Sequence, residues 1–253
     1  MYRTYYGLDS PPFSPRPDIR FLYLDENRSR VLEMIGYVVR ERGGFCVVSG
    51  KAGIGKTILV QALINRLGEQ VHAGLATCAP GSTPRFTELV AGAFNIDTED
   101  ASTREIYRRI RDYIADLSQA GKHALLVIDN AHNLKPAAFK LLVHLVSVDE
   151  ALRVILVGHP ELRQQFCRRA FGDTAPGVII QTSISEFNKR DTDAYIRHRI
   201  ATAGGAENLF SQSASETVYR FSGGVPGLIN CACNYALEAG YEGNHRIIDK
   251  SII

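Results

Sequence analysis

The fold of this chain is decided by eight residues, Gly50-Lys51-Ala52-Gly53-Ile54-Gly55-Lys56-Thr57. They match the pattern G-x-x-x-x-G-K-[ST] and stand between a short apolar run, residues 45–49, and a helical pattern. Triphosphate is densely anionic, so a loop that binds it must aim backbone N–H groups inward, which glycine permits where a Cβ atom would block the approach. The helix that follows adds the positive end of its dipole. The alternative, a chance glycine-rich turn, is disfavoured by the flanking strand and helix.

Two side chains of this motif carry specific expectations. We expect Lys56 to neutralise the β- and γ-phosphates of a bound nucleotide, and the Thr57 hydroxyl to ligate Mg²⁺. The sequence therefore predicts a nucleotide-binding loop over all eight residues, with ATP and Mg²⁺ as the cofactors.

Outward from this motif, apolar runs alternate with helical periodicity. We predict strands over residues 45–49, 71–77, 124–128, 153–157 and 178–182, and helices over 25–42, 56–67, 86–94, 102–118, 136–146 and 162–170. Beyond residue 191 only helical patterns continue, over 191–203, 213–221 and 225–240. Alternation of this kind indicates right-handed crossovers. We predict an α/β P-loop NTPase fold: a mainly parallel sheet with helices on both faces, followed by an all-helical C-terminal lid.

The domain organisation follows from the same patterns. Residues 1–24 carry four prolines among aromatic residues, which is typical of an irregular arm that its rings pin to the domain. We predict a nucleotide-binding domain over residues 25–187 and a helical lid over residues 188–253. The sequence shows no internal repeat.

Composition restricts the class of protein. The 253 residues include 29 Lys plus Arg against 27 Asp plus Glu, and this balance of +2 gives no electrostatic argument for wrapping nucleic acid. Four arginines on one predicted helix could form a basic patch, although we interpret them as a solvated helix face: Arg104, Arg108, Arg109 and Arg111.

Cysteine usage and hydropathy bear on localisation. The five cysteines are odd in number and lack paired C-x-x-C spacing, so they indicate neither a disulfide framework nor a zinc site. No signal peptide opens the chain, and its apolar runs are far shorter than the roughly 20 residues that cross a bilayer. We expect a cytoplasmic protein.

A second candidate for metal binding is Asp129, which ends the buried run 124–128. Open α/β sheets bind ligands at the carboxyl ends of their strands. Asp129 could therefore reach a water of the Mg²⁺ shell while Thr57 binds the metal directly. An Asp at a strand end can also be only a turn or capping residue. The neighbouring glycine-rich loop favours the metal role.

His159 follows the fourth predicted strand and precedes a helix. A polar side chain there could sense the γ-phosphate or orient the attacking water. It could also be a surface or capping residue. The catalytic interpretation requires the strand order 5-1-4-3-2, which would bring the fourth strand beside the first.

Several segments together resemble the ExeA/GspA family of AAA+ ATPases, across nearly the whole chain. The resemblance is carried by the octapeptide and by four further segments: Tyr5-Tyr6-Gly7-Leu8 with Pro12-Phe13, Pro17-Asp18-Ile19-Arg20-Phe21-Leu22-Tyr23, Val157-Gly158-His159-Pro160-Glu161-Leu162, and Ser222-Gly223-Gly224-Val225-Pro226 with Ile229-Asn230. Members of that family assist envelope assemblies such as secretins and pilus machinery, and some transposon regulators are similar. Members acting in secretion commonly continue into a membrane helix and a peptidoglycan-binding part, which this sequence does not contain.

Three departures from the family pattern concern hydrolysis. The family usually has Glu after the strand-terminal Asp, but this chain has Asn130, which cannot accept a proton. General-base catalysis is worth about 10² to 10⁴ in rate, so we expect slow hydrolysis unless His132 or Glu161 substitutes. Relatives often place Arg where this chain has Thr182 and Gly227. Arg168 and Arg169 are candidate replacements, or they only decorate the end of a helix.

The sequence supports two hypotheses of function. The first is a nucleotide-dependent assembly switch with weak ATPase activity, forming a homo-oligomeric ring or filament at the cytoplasmic face of the inner membrane in an envelope secretion or pilus system. The second is an ATP-dependent DNA-binding regulator of transposition, which would bind duplex DNA in a salt-sensitive manner. Near-neutral charge argues mildly against the second hypothesis.

Overall fold

A computed structural model describes residues 1–42, 44–79, 85–148, 151–170 and 179–253 of the chain. Contacts divide these residues into two compact units. The sheet unit comprises Arg30–Lys51 and Leu63–Ile184, and the helical unit comprises Met1–Ser29, Ala52–Ala62 and Ser185–Ile253. Each unit has its own buried core.

The elements alternate as the sequence predicted. The described strands are β1 (Gly44–Ser49), β2 (Val71–Thr77), β3 (His123–Asp129), β4 (Leu152–Gly158) and β5 (Ile179–Ser183). The described α-helices are α1 (Tyr2–Tyr5), α2 (Glu26–Tyr37), α3 (Lys56–Ile64), α4 (Phe86–Ala93), α5 (Thr103–Gln119), α6 (Pro136–Val148), α7 (Glu161–Ala170), α8 (Lys189–Thr202), α9 (Gln212–Ser222) and α10 (Pro226–Glu242).

Two helices differ from their predicted extents by three residues or more. The helix predicted over 25–42 is α-helical only to Tyr37 and continues as a π-helix over Val38–Arg42. The helix after the glycine-rich loop ends at Ile64 instead of residue 67. Residue 178, the predicted start of the fifth strand, lies outside the described residues.

The five strands form one parallel sheet in the order β2-β3-β4-β1-β5. This order confirms the predicted P-loop NTPase class, in which the fourth strand lies between the first and the third. Because all strands run the same way, their carboxyl ends share one edge of the sheet.

Helices cover one face of the sheet through a continuous apolar core. Ile106, Ile110 and Ile114 of α5 recur every four residues and pack with Phe139 of α6 and Phe166 of α7. Inward-facing strand residues of the same core are Phe45, Val47, Leu126, Ile128, Val154 and Leu156. Every residue of β1 and β4 is buried, so the opposite face is covered as well. There the buried Arg153 side chain donates from Nε to the Val39 carbonyl, at 2.6 Å.

The helical unit is built from α8, α9 and α10 around a second apolar core. Local signals set the helix ends: the side chains of Asn188 and Ser211 cap α8 and α9, and Pro226 opens α10. Gly223 ends α9 in the left-handed conformation, with φ of 57°. Within the described ranges, no helix combines the length and the apolar character that a membrane span requires.

The N-terminal arm packs on these C-terminal helices. The ring of Phe13 lies 5.9 Å from that of Phe210, edge to face, and the Tyr5 ring lies 5.4 Å from that of Tyr241. The Tyr6 hydroxyl donates to the carbonyl of His245, at 3.0 Å. The rings of the arm are therefore anchored, and their partners belong to the end of the chain.

A buried arginine completes the attachment of the arm. Arg199 on α8 donates from Nε to the Pro12 carbonyl and from Nη1 to the Tyr195 hydroxyl, the latter at 2.7 Å. Its guanidinium also lies 4.9 Å from the ring centroid of Phe21. Because burial requires every donor to be satisfied, this contact fixes the arm in place.

Replacing Phe13, which is 2% exposed, tests whether the arm belongs to the core of the helical unit. Phe13→Ala should lower the free energy of unfolding by about 3 kcal/mol, because a buried ring leaves a cavity. Phe221→Ala, at a residue 63% exposed in the same unit, is the matched control and should change it by less than about 0.5 kcal/mol. Urea unfolding measures both, and equal effects would contradict the arm's role.

Candidate active site

The sheet unit brings three predicted site positions to one edge. β1, β3 and β4 are adjacent and parallel, and they end at Ser49, Asp129 and Gly158. The Gly50 N–H donates to the Gly158 carbonyl at 3.1 Å, so the glycine-rich loop leaves the sheet beside the end of β4. This is the edge where open α/β sheets bind ligands.

Asp129 is buried at this edge, with 7% of its surface exposed. Its Oδ1 accepts the N–H of Asn130 at 2.8 Å, which orients the carboxylate. Burial, and then the charge of Asp129, raise the pKa of the Cys78 thiol to about 11. Cys78 is therefore a neutral neighbour of Asp129 at physiological pH.

Asn130 has the left-handed backbone conformation, with φ of 53° and ψ of 35°, and a short 3₁₀ helix follows over Ala131–Asn133. Asparagine tolerates this conformation better than most residues because its short amide can bond locally. Its carboxamide can orient a water molecule but cannot take a proton from it.

His132 and His159 form a stacked pair at the ends of β3 and β4. Their ring centroids are 4.1 Å apart and the ring planes differ by 24°. The stack depends on Gly158, since a Cβ atom there would lie 3.1 Å from His132 Nδ1 and 2.9 Å from Leu162 Cδ2. The strand order thus places His159 beside the ends of β1 and β3, and His132 lies against it.

In the helical unit, the glycine-rich loop has two left-handed glycines. Gly53 has φ of 71° and Gly55 has φ of 98°, and the buried side chain of Ile54 lies between them. The N–H of Leu59 donates to the Gly55 carbonyl, so helix α3 begins as soon as the loop ends. Lys56 and Thr57 are its first two residues, and Lys56 is 7% exposed.

Two successive carbonyls of the loop are bonded on their outer side. The N–H of Gly227, at the start of α10, donates to Gly53 O at 2.9 Å. Arg28 Nη2 donates to Ile54 O at 3.0 Å. A trans peptide is planar, and its C=O and N–H point in opposite directions. The two hydrogen bonds therefore turn the N–H groups of Ile54 and Gly55 away from Gly227 and Arg28.

Those two N–H groups fit an anionic ligand. In the described part of the chain, neither the Ile54 nor the Gly55 N–H donates to a protein acceptor. Successive amides that point the same way from a loop with left-handed residues form an anion-binding concavity. The residues present therefore fit a phosphate group of ATP.

The start of α10 meets the loop through backbone atoms. A Cβ atom on Gly227 would lie 3.2 Å from Gly53 Cα and 3.3 Å from Gly53 O, which is closer than side chains normally approach. The position where the sequence suggested a missing arginine is thus occupied by a direct contact between loop and lid helix.

The three other positions considered for an arginine contact are Thr182, Arg168 and Arg169. Thr182 is buried within β5, where its carbonyl accepts the Ser49 hydroxyl at 3.3 Å. The side chains of Arg168 and Arg169 lie outside the described part of α7.

Sequence reasoning missed two partners of the loop, Arg28 and the N–H of Gly227. Arg28 gave one local signal: it follows Asp25 by three residues at the start of a predicted helix. That spacing suggests a paired charge at a helix N-terminus, but nothing in it indicates the loop.

Comparison with known proteins agrees with this geometry. The profile of the AAA domain family matches residues 39–166. General secretion pathway protein A of Aeromonas hydrophila is 30% identical over 259 residues, which cover 100% of this chain and 47% of that protein. The chain therefore spans about half the length of this relative.

Solved structures show the same fold at low identity. Cdc6p of Pyrobaculum aerophilum has a TM-score of 0.68 and 17% identity, over 94% of this chain and 67% of that one. The Aeropyrum pernix ORC1 protein, solved in complex with DNA, has a TM-score of 0.69 and 15% identity, over 95% of this chain and 66% of that one.

The chain belongs to the AAA family of P-loop ATPases. It is similar over its whole length to General secretion pathway protein A, so the resemblance to the ExeA/GspA ATPases is confirmed.

Gly55 is the most direct test of the loop conformation. Gly55→Ala should weaken binding of a fluorescent ATP analogue by about tenfold, because a left-handed backbone costs a Cβ-bearing residue about 1 to 2 kcal/mol. Space is not the obstacle, since the nearest atom to an added Cβ is Ile58 Cγ2 at 3.7 Å. Gly68→Ala is the control, because an added Cβ there meets nothing within 4 Å. Wild-type affinity in Gly55→Ala would contradict the phosphate-binding role.

Proposed function

We propose that this protein is an ATP-binding assembly switch with weak ATPase activity. The observation that carries the proposal is the bond between the Gly53 carbonyl and the Gly227 N–H. The loop that would receive the phosphates is bonded directly to the first turn of the lid helix. A change in the loop on nucleotide binding would therefore bear on the lid without an intervening side chain.

The proposal assigns nucleotide binding to residues 50–57. Backbone N–H groups of the loop would hold the phosphates, Lys56 would neutralise their charge, and Thr57 and Asp129 would hold Mg²⁺. Bound Mg²⁺ supplies charge neutralisation at the β- and γ-phosphates. Hard oxygen ligands of this kind suit Mg²⁺, which keeps most of its waters.

Weak hydrolysis is proposed from the side chains after β3 and β4. Asn130 can hold a water molecule in place but cannot activate it by removing a proton. The stacked imidazoles of His132 and His159, or Glu161, would have to serve instead. We propose that His159 orients the attacking water or senses the γ-phosphate. The outcome is an enzyme that stays in its ATP-bound form for long periods.

The setting is proposed from the relative. General secretion pathway protein A is named for a secretion pathway, and the chain spans 47% of its length. We propose an ATP-promoted homo-oligomer, a ring or a filament, acting at the cytoplasmic face of the inner membrane in a secretion or pilus system.

The experiment that tests the switch measures binding, turnover and self-association on one preparation. We expect magnesium-dependent ATP binding, slow phosphate release, and a larger particle by light scattering with ATP than with ADP. Lys56→Ala should abolish binding and assembly together, because the phosphate charge is no longer neutralised. Lys140→Ala, at an exposed lysine of α6 outside the loop, is the control for the loss of a positive charge and should leave both unchanged. Brisk turnover that survives replacement of His132 and Glu161 would refute the switch.

Restoring a carboxylate after Asp129 tests the cause of slow hydrolysis. Asn130→Glu should raise the turnover number by about 10² or more, because Glu can act as a general base. Asn95→Glu is the control for backbone strain, since Asn95 has a similar left-handed φ of 55°. Phosphate release under single-turnover conditions measures both variants. An unchanged rate in Asn130→Glu with intact ATP binding would contradict the assignment.

The alternative function is an ATP-dependent DNA-binding regulator of transposition. Its supporting observation is a groove of about 550 Å³ along α5 that is lined by Arg104, Arg108 and Arg111. Among the residues described, Arg104 and Arg111 form no ion pair, whereas Arg108 lies 4.0 Å from Asp112 and Arg109 contacts Asp97 and Glu105.

A mobility shift of labelled duplex DNA that requires ATP and weakens as salt is added would favour this function. The Arg104→Ala, Arg111→Ala double variant should then abolish the shift.

A further inference from the structure

Arg28 contacts three different parts of the helical unit with one side chain. It is 3% exposed. Its Nη1 donates to Asp25 Oδ2 at 2.8 Å, its Nη2 donates to Ile54 O at 3.0 Å, and its guanidinium carbon lies 3.8 Å from the ring centroid of Phe187. These partners belong to the start of α2, to the glycine-rich loop, and to the linker that precedes α8.

Asp25 accepts hydrogen bonds from both the backbone and the side chain of Arg28. Its Oδ1 accepts the backbone N–H of Arg28 at 2.8 Å, as a helix-capping residue does, while Oδ2 accepts from the guanidinium. Burial lowers the pKa of Arg28, and the charge of Asp25 opposes that effect. Only a planar guanidinium can serve a carboxylate and a carbonyl in this way while it stacks on a ring.

The bond to Ile54 O determines the direction of an amide in the loop. Ile54 C=O and Gly55 N–H belong to one peptide plane, so holding the carbonyl on one side presents the N–H on the other. Gly227 holds only the preceding peptide, between Gly53 and Ile54. Among the residues that the structure describes, Arg28 is the donor to the Ile54 carbonyl, so without it the next peptide would lose that hydrogen bond.

Through its stacking on Phe187, Arg28 also contacts the lid linker, residues 185–188, which precedes α8. The Phe187 N–H donates to the Gly224 carbonyl at 2.9 Å, between α9 and α10. The N–H of Ser185 donates to Asn27 Oδ1 at 3.0 Å, so the first turn of α2 holds the linker at two points. A displacement of the loop at Ile54 would therefore be transmitted through Arg28 to the linker.

We infer that Arg28 is a positioning residue, which orients the Gly55 amide for phosphate and couples the loop to the lid linker. The inference rests on the proposed function, since it concerns the same phosphate-binding loop. Arg28 itself does not touch the nucleotide in this role.

The experiment compares two buried arginines of the same unit. Arg28→Met should raise the dissociation constant of a fluorescent ATP analogue by about 10 to 100-fold, since the loop is no longer held in its binding geometry. Arg199→Met is the matched control: Arg199 is 5% exposed, and in the described chain it bonds to the arm, to α8 and to α10, not to the loop. It should lose stability yet keep its affinity within about twofold. Urea unfolding of both variants separates stability from binding.

Arg28→Lys distinguishes geometry from charge. A lysine keeps the positive charge beside Asp25 but cannot offer a planar fork to Ile54 O, so it should not restore affinity. Wild-type affinity in Arg28→Lys, or equal losses of affinity in Arg28→Met and Arg199→Met, would overturn the inference.

If Arg28→Met does not fold, Asp25→Asn is the second variant, because Asn keeps the helix cap and removes only the charge. We expect an affinity loss there of about three- to tenfold, and wild-type affinity would again overturn the inference.

Hydrogen exchange on the unaltered chain tests the coupling. Addition of MgATP should slow exchange at residues 185–188 as well as in the loop, and should do so less in Arg28→Lys. ATP binding with no change at the linker would overturn the coupling while leaving the proposed function intact. If the unaltered chain does not bind MgATP at all, the proposed function itself fails, and Lys56→Ala identifies that case by behaving like the wild type.

Discussion

A peptide group that turns its N–H toward an anion points its carbonyl the opposite way, and a carbonyl that is buried there needs a hydrogen-bond donor. This constraint governs the structure around the glycine-rich loop. The carbonyls of Gly53 and Ile54 bond to Gly227 and Arg28, which come from distant parts of the chain. The starts of α10 and α2 therefore supply the donors that these two carbonyls require.

In the proposed function, nucleotide binding and hydrolysis depend on different residues. The loop, with its left-handed glycines and outward-bonded carbonyls, has what phosphate binding needs. The position after Asp129 does not have what water activation needs, because an amide stands where a carboxylate would accept the proton. The stacked imidazoles of His132 and His159 lie at the ends of β3 and β4 in the sheet unit. A protein with this division is suited to hold a nucleotide-dependent state for longer than it consumes nucleotide.

Low identity to solved structures did not obscure the fold. The sequence identity between Cdc6p and this chain is 17%, yet the two structures superpose with a TM-score of 0.68. The fold depends on patterns that tolerate substitution, such as the apolar runs of β1, β3 and β4 and the isoleucines that recur every four residues on α5. Particular identities matter at few positions, such as Gly158, where a Cβ atom would collide with Leu162 and crowd His132.

The sequence by itself determined what local patterns encode: the octapeptide, the alternation of strands and helices, the acid at the end of β3 and the asparagine after it. These features arise from residues within about 20 positions of one another, where periodicity and turn chemistry act. Tertiary structure alone decided the contacts between residues far apart in the chain. The bond of Arg28 to Ile54 and that of Gly227 to Gly53 could not be predicted, because backbone carbonyls are the same in every residue. From the sequence, we interpreted Gly227 as a position where relatives have arginine. In the structure, the absence of a Cβ atom at Gly227 lets the backbone of α10 contact the loop.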